Sequence, residues 1–215
     1  MSKEKDITLK ELPDVMTFFD TEFADRRNSR VCQIGLMRVT SDFTVLQQDV
    51  MLVDPEKPFG KFQFRTHHIG PADVRGCITF GEAWDMVIGG YFPEGCAVVG
   101  HNVGVDLAVL DKCCLAYGIK MPAVRRADTM SIAKLVFPEM GSYKLNLVCE
   151  YAGLDMERFE REFHHDALHD TEATARAFFK MHRMRPECVK WRRRNPKHGL
   201  VDRRLTTEEA AGSSE

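Results

Sequence analysis

Four acidic residues stand in stretches of sequence that are otherwise apolar. Asp20 and Glu22 are two residues apart in DVMTFFDTEF, a run that predicts a buried strand, so both side chains point to one face of a sheet. Asp106 and Asp170 each share the apolar stripe of a predicted helix. Because one buried carboxylate costs several kcal/mol and four would also repel each other, the pattern indicates bound cations.

The ligand type predicts which cations these would be. Carboxylate oxygens are hard ligands that suit Mg²⁺ or Mn²⁺ better than zinc. The seven cysteines form no C-x-x-C pair, and their irregular spacing indicates reduced, buried thiols. Taken one at a time, each acid could instead cap a helix or meet a basic partner. That alternative is weaker for Asp20 and Glu22, because no basic residue precedes them in the strand.

The segment FHHDALHD (163–170) holds the other reactive side chains. Asp166 is placed to cap the last helix, which leaves His165 in the loop that approaches it. An imidazole titrates at about pH 6.5, so His165 could accept a proton from an attacking water. His165 and His169 also have zinc-pair spacing, but no third nitrogen or sulfur ligand is near. We predict that His164 and His169 are surface or supporting groups.

Hydrophobic periodicity predicts the elements that position these groups. Strands are predicted at 14–23, 30–40 and 43–55, with short links as in an antiparallel meander. Residues 56–79, rich in Gly, Pro and His, are predicted to be loop. Later segments predict helices at 80–92, 103–118, 129–137, 144–153 and 167–183, and strands at 96–102 and 124–129. Strands followed by alternating strands and helices predict an α/β layered domain with a mixed sheet.

Composition and charge describe an ordinary globular chain with a basic end. The 215 residues are 44% hydrophobic and 29% charged, without a long apolar run or signal peptide, so we expect no membrane span and a cytoplasmic location. Residues 181–204 contain nine Lys or Arg against two Asp or Glu. This excess predicts a polyanionic partner or, alternatively, a solvated tail. We divide the chain into an extension (1–13), a folded domain (14–183) and a basic, partly flexible tail (184–215).

Three motifs resemble those of the DEDDh family of 3′–5′ exonucleases, which includes the proofreading epsilon subunit of bacterial DNA polymerase III. They are FFDTEF, VGHNVGVDLAVL and HHDALHDTEATA, and the similarity runs from about residue 14 to 182. The resemblance implies a ribonuclease H-like fold with a five-stranded mixed sheet flanked by helices. It also implies that residues 14–183 form an exonuclease domain.

The resemblance implies a reaction and a set of site residues. Nucleoside monophosphates would leave the 3′ end of DNA by two-metal hydrolysis, with two Mg²⁺ or Mn²⁺ ions and His165 as general base. The metal ligands, which are also catalytic, would be Asp20, Glu22, Asp106 and Asp170. The terminal nucleotide would contact Thr21, Phe23, Ala24 and Asn102. For two of these an alternative stays open, since Phe23 could belong to the core and Asn102 could cap a helix.

The implied substrate and partners also have alternatives. Phe23-Ala24 replaces a common T-G pair, and Val105 replaces a common aromatic residue, which leaves DNA or RNA open at the terminal nucleotide. Single-stranded or frayed 3′ ends are the expected partner, and a DNA polymerase is a further candidate. An RNA-trimming exonuclease of the same chemistry and a non-catalytic nucleic-acid- or polymerase-binding module are the competing hypotheses. The segment WRRRNPKH (191–198) lies outside the similarity and could contact phosphates or a protein.

Overall fold

The computed structural model describes residues 12–25, 30–155 and 166–196, in which one mixed sheet separates two layers of helices. The strands are β1 (Val15–Phe23), β2 (Val31–Thr40), β3 (Val45–Leu52), β4 (Ala97–Gly100), β5 (Val124–Asp128) and β6 (Arg192–Arg194). Their order across the sheet is β3-β2-β1-β4-β5-β6. β4 runs parallel to β1 and β5 parallel to β4, while the remaining neighbours are antiparallel.

Helices cover both faces of this sheet. They are α1 (Lys61–His67), α2 (Phe80–Ala83), α3 (Gly89–Tyr91), α4 (Gly104–Ala116), α5 (Thr129–Val136), α6 (Leu145–Tyr151) and α7 (Ala167–Met184). A π-helical stretch (Trp84–Ile88) joins α2 to α3, and a 3₁₀ turn (Pro186–Cys188) follows α7. One layer contains α2, α3 and α4, and the other contains α5, α6 and α7. Within the described ranges, no helix is both long and apolar enough to be a membrane span.

The prediction of a five-stranded sheet was wrong, because β6 adds a sixth strand. β6 consists of three arginines, so it lacks the apolar alternation that reveals a strand in sequence. It pairs antiparallel with the edge of β5. Arg194 of β6 forms an ion pair with Asp111 of α4, and these side chains are only 12% and 4% exposed. Part of the segment predicted as tail therefore packs on the sheet, while the domain boundaries themselves stay a prediction.

Helix α1 also departs from the prediction, since it lies in the segment predicted to be loop. Its sequence KFQFRTH has no apolar stripe at helical spacing, and its buried residues are Gln63 and His67. Phe62 and Phe64 are 63% and 47% exposed instead. Periodicity misses such a helix because periodicity detects only helices that bury an apolar face.

The central strand β1 divides the core into two clusters. Met16 and Phe18 face α7, and the Phe18 ring meets the Phe178 ring edge-on at 5.5 Å between centroids. Phe19 faces the opposite layer, where it packs on Phe92 at 5.2 Å. Because side chains alternate along a strand, the residues that follow Phe18 on its face belong to the α7 side. The apolar packing of β1 thereby sets which layer its polar end can reach.

The ion pair between Asp111 and Arg194 gives a stability prediction. Asp111→Asn should lower the free energy of unfolding by about 3 kcal/mol, because it leaves a nearly buried guanidinium without its counterion. The double variant Asp111→Leu/Arg194→Met should lose less than Asp111→Asn alone, since neither charge remains. Urea unfolding measures both.

A second ion pair provides the control. Arg185 and Glu187 are 48% and 64% exposed, so Glu187→Gln should change stability by less than about 1 kcal/mol. Equal losses for Asp111→Asn and Glu187→Gln would contradict the role assigned to the Asp111–Arg194 pair.

Candidate active site

The end of β1 presents two carboxylates to the α7 side of the sheet. Asp20 and Glu22 continue the face occupied by Met16 and Phe18. The pairing of β1 with β2 shifts register between Glu22 and Phe23. Such a bulge increases the local twist and re-aims the adjacent side chains. The apolar half of the strand thus anchors in the core, while its last residues turn toward the start of α7.

Helix α7 approaches the sheet at a glycine. Gly35 of β2 lies opposite Asp20 in the strand register. A Cβ added at Gly35 would stand 2.2 Å from the carbonyl oxygen of Ala167, the first residue of α7. No side chain larger than hydrogen fits there, so the helix backbone rests directly on β2. This contact places Asp170, in the first turn of α7, beside the end of β1.

Hydrogen bonds hold the helix start in this position. Gln33 of β2 accepts a hydrogen bond from the Ala167 amide at 3.0 Å. The Thr171 hydroxyl lies 3.2 Å from the carbonyl of Gly35 and 2.6 Å from that of Ala167. Asp166 caps the helix, as predicted, by accepting from the Leu168 amide at 2.8 Å. The first turn of α7 is therefore anchored to β2 as well as capped.

These elements bring three carboxylates together. One oxygen from each of Asp20, Glu22 and Asp170 lies within 4.8 Å of the other two. Asp106 reaches the same strand from α4 on the opposite layer, and its Oδ1 accepts from the Thr21 hydroxyl at 2.7 Å and the Thr21 amide at 3.2 Å. Asp106 is thus adjacent to the three-acid cluster but is held by Thr21.

The electrostatics of the cluster disfavour its own ionisation. Burial, followed by the charges of Asp106, Asp170 and Glu22, raises the pKa of Asp20 well above its ordinary value. Burial, followed by the charges of Asp170, Asp106 and Asp166, raises the pKa of Glu22 from 4.5 to about 8. Burial also raises the pKa of Asp106 to about 6, although the hydrogen bonds from Thr21 oppose this rise.

A hard divalent cation fits this arrangement. The donor atoms are carboxylate oxygens from β1 and α7, which lie close enough together to bind the same ion. Burial and mutual repulsion raise the pKa of Asp20 and of Glu22, so both carboxyl groups favour the protonated form unless a cation is near. Binding a cation would replace protons at Asp20 and Glu22 and offset the repulsion. The chemistry of Asp20, Glu22 and Asp170 therefore supports a metal site, with Asp106 next to it.

The remaining predicted site residues have different surroundings. His165 lies outside the described residues. Thr21 is buried and binds Asp106. Ala24 is also buried, and its amide donates to the Arg30 carbonyl while its carbonyl accepts from the Gly60 amide, each at 2.8 Å.

Phe23 and Asn102 bear on the two alternatives left open by the sequence. Phe23 is half-buried and packs against the cluster under α4, which favours a core role for at least part of its ring. Asn102 is exposed with a φ of 61°, and α4 begins after Val103 without a side-chain cap. The interpretation of Asn102 as a helix cap was wrong, because its left-handed backbone places it in the preceding turn.

Sequence reasoning missed the residues that support the acids. Thr21 was predicted only to contact substrate, and the structure shows that its hydroxyl and amide also position Asp106. Gln33 and Gly35 were assigned only to a strand. An isolated glycine within an alternating strand does indicate a close backbone approach, so Gly35 carried a usable signal. Nothing in the spacing of Gln33 indicates its bond to a helix more than a hundred residues later.

Comparison with known proteins assigns the family. The exonuclease family model, RNase_T, matches residues 17–178. The chain belongs to this family, which confirms the exonuclease resemblance inferred from the three motifs. The family is dependent on divalent metal ions, and the cluster of Asp20, Glu22 and Asp170 is consistent with that dependence.

Individual relatives show the same relationship. PolC-type DNA polymerase III of Staphylococcus saprophyticus is 31% identical over 186 residues, which are 83% of this chain and 12% of the polymerase. The chain spans about a tenth of the length of the curated relatives that it matches.

Two solved structures share the fold. Exonuclease X in complex with 5′-overhanging duplex DNA superposes with a TM-score of 0.63 at 20% identity, covering 79% of this chain and 92% of that one. Exonuclease I of E. coli in complex with a dA13 oligonucleotide has a TM-score of 0.67 at 18% identity, covering 82% and 42%.

The contact at Gly35 yields a first prediction for the site. Gly35→Ala should push the start of α7 away from β2 and move Asp170 out of the cluster, because the new methyl group would overlap the Ala167 carbonyl. We expect the affinity for Mn²⁺, measured by calorimetry, to fall, and nuclease turnover to fall about 10²-fold, as for an ångström-scale misplacement. Gly90→Ala is the control, since a Cβ there meets no atom within 4 Å. A folded Gly35→Ala protein with unchanged Mn²⁺ affinity would contradict this account.

The raised pKa of Glu22 yields a second prediction. Without metal, thermal stability should decline as pH rises from about 4.5 to 8, because unfolded Glu22 releases its proton while folded Glu22 retains it. Glu22→Gln should weaken this decline and, in EDTA at pH 8, raise the melting temperature by roughly 2–8 °C, which corresponds to about 1–2 kcal/mol. Calorimetric melting over a pH series measures both effects.

Metal should reverse the order of the melting temperatures of the wild type and Glu22→Gln. Mn²⁺ at about 100 times its Kd should stabilise the wild type by about 2.7 kcal/mol and have much less effect on Glu22→Gln. The exposed Glu139 provides the control, and Glu139→Gln should follow the wild type in EDTA and in Mn²⁺. If Glu22→Gln melts below the wild type in EDTA at pH 8, the repulsion inferred at the cluster is absent.

Proposed function

We propose that this protein is a 3′–5′ exonuclease that uses Mg²⁺ or Mn²⁺ to release nucleoside monophosphates from the 3′ end of DNA. The observation that carries the proposal is the gathering of Asp20, Glu22 and Asp170, from two distant parts of a chain in the exonuclease family. DNA as substrate is supported by the similar structures of Exonuclease X and Exonuclease I, both of which were solved with DNA.

The four acidic residues would bind the metal ions. Asp20, Glu22 and Asp170 would hold two divalent ions, with Asp106 as a further ligand oriented by Thr21. When bound, such ions supply positive charge that offsets the repulsion between an acidic site and a phosphodiester and stabilises the charge of the transition state. To bind an ion, Asp106 would either keep its hydrogen bonds to Thr21 or give them up, and this decides how closely its carboxylate can approach the ion.

His165 is the proposed general base. It directly precedes Asp166, whose carboxylate caps α7, and α7 holds Asp170 one turn later. In the sequence His165 is therefore one residue from the cap of the helix that carries a proposed metal ligand. The imidazole of His165 would accept the proton of the attacking water and return it to solvent or to the leaving oxygen. With an ordinary pKa of about 6.5, a histidine there can cycle at neutral pH.

Contacts with the terminal nucleotide and a protein partner are the remaining parts of the proposal. Thr21, Phe23, Ala24 and Asn102 are proposed to border the terminal nucleotide, with the half-buried Phe23 as the candidate stacking surface. A DNA polymerase is the proposed protein partner, because the curated relatives are PolC-type DNA polymerases in which the matched region is a small part.

Variants at the acids and the histidine test the proposal. Asp20→Asn should abolish turnover, because it removes a ligand charge, and His165→Ala should slow turnover about 10²–10⁴-fold. His164→Ala is the matched control and should keep near wild-type activity. Release of nucleotides from 5′-labelled single-stranded DNA, in EDTA and then in excess Mg²⁺ or Mn²⁺, provides the measurement.

Substrate comparison separates the candidate functions. A faster reaction with single-stranded RNA than with DNA of equal length would favour the RNA-trimming alternative. Tight binding of either strand without product, in Mg²⁺ and in Mn²⁺, would leave only the non-catalytic binding module. Equal activity of the wild type and Asp20→Asn would refute the assignment of the acidic cluster.

A further inference from the structure

We propose that a basic pocket at the β5–β6 edge binds the phosphodiester backbone of the same strand whose 3′ end enters the acidic site. This inference rests on the proposed function and extends it to a second contact with the substrate. The pocket has a volume of about 390 Å³. Its charged walls comprise one carboxylate, Asp128, and four cationic side chains, from Arg126, Lys134, Lys190 and Arg192.

The positive charge of the pocket is not neutralised by acids in the described part of the chain, although the Lys134 ammonium lies 5.7 Å from the centre of the Tyr143 ring. Within the described ranges, none of its four cationic side chains forms an ion pair with a carboxylate. Asp128 is itself occupied, because its Oδ1 accepts from the amides of Asn102 and Met130 at 2.8 and 3.1 Å. Its Oδ2 accepts from the Ser131 hydroxyl at 2.7 Å. The carboxylate in the pocket is thus held by two amides and a hydroxyl, and its single negative charge leaves the four cations in excess.

The pocket adjoins the acidic site through the start of α4. Arg126 places its Nη1 3.1 Å from where a Cβ on Gly104 would stand, so this glycine admits the guanidinium. Gly104 begins α4, and Asp106 follows two residues later. Asp128 accepts a hydrogen bond from the Asn102 amide in the turn that precedes α4. One short segment therefore connects the basic pocket to an acid beside the three-acid cluster.

The segment after α7 is built to supply part of this pocket. Cys188 and Val189 are buried, which fixes the chain immediately before Lys190 to the domain. Arg192 pairs with Arg126 across β6 and β5, and Arg194 is anchored to Asp111. Two arginines in register repel each other, so their pairing is unfavourable unless an anion lies near. Charges on an edge strand also prevent aggregation, which is the competing explanation.

A nucleic-acid strand is the anion that best fits these observations. The pocket requires a ligand with several negative charges, and it lies next to the site proposed to hold a 3′ end. A strand leaving an acidic metal site gains most from a positively charged surface immediately beyond it. The contact would be independent of sequence, because the lining cations can bind phosphate oxygens without reading bases.

The test uses the full chain and two substrates that differ in reach. One is a single-stranded DNA of about 20 nucleotides, longer than the 4–16 nucleotides that single-strand sites typically cover. The other is a dinucleotide, whose single phosphodiester is the one that the acidic site would cleave. The pocket variant is Lys134→Gln/Lys190→Gln, two exposed lysines. The control is Lys57→Gln/Lys120→Gln, which removes equal charge from exposed lysines near the far end of α4.

The expected result is a length-dependent loss. For the long strand, the pocket variant should raise KM about tenfold with little change in kcat. The slope of log(1/KM) against log[KCl], between about 50 and 200 mM, should become shallower by about 1.4, at 0.7 for each lost phosphate contact. The control should match the wild type with both substrates.

The outcomes distinguish this inference from the proposed function. If the wild type releases no nucleotides from either substrate, the proposed function fails. If the wild type is active and the pocket variant keeps its KM and salt dependence on the long strand, the pocket does not bind the strand. The positive charge would then be explained by the prevention of aggregation at the edge strand. An equal rise in KM for the dinucleotide and the long strand would also overturn the inference, because the effect would then be on the acidic site itself.

Discussion

The direct contact between α7 and β2 at Gly35 is the constraint on which the site depends. At this point the backbone of a helix touches the backbone of a strand, with no side chain between them. Gly35 lies opposite Asp20, so this backbone contact between helix and sheet falls beside the first acid of the cluster. Gln33 and Thr171 then hold the helix with hydrogen bonds rather than with apolar packing alone. A position set by main-chain contact varies little, as a multi-ligand site requires.

The same contact forces carboxylates together against their mutual repulsion. The rest of the domain opposes this repulsion through two apolar clusters on either side of β1. The arrangement is an example of local destabilisation at a functional site that the surrounding structure sustains. Asp106 relieves part of it by accepting two hydrogen bonds from Thr21. The acids are therefore not equivalent, since three converge from one face and the fourth is restrained from the other.

Much of the fold was predictable, and so was the convergence of three of the four predicted acids, because their signals are local. A strongly apolar run located β1, period-two alternation located β2 and β3, and helical stripes located α4 and α7 within a few residues. The position of Asp20 and Glu22 on one face followed directly from strand geometry. β6 and α1 were not predictable in this way, because one is three arginines and the other buries Gln63 and His67 instead of apolar residues. Long-range hydrogen bonds, such as that of Gln33 to Ala167, leave no periodic trace.

The alternation of β1 has a consequence for how this chain can change. Asp20 and Glu22 face one helical layer, whereas Thr21 between them serves Asp106 on the other. Inserting or deleting a single residue upstream within the strand would reverse the facing of every later side chain, so that Asp20 and Glu22 would point to the α4 layer and Thr21 to the α7 layer. A change of two residues would restore the facing but shift the acids along the strand by about 7 Å. Insertions and deletions in descendants of this sequence should therefore be confined to the loops, where adding an odd number of residues does not change which face of the sheet a side chain occupies.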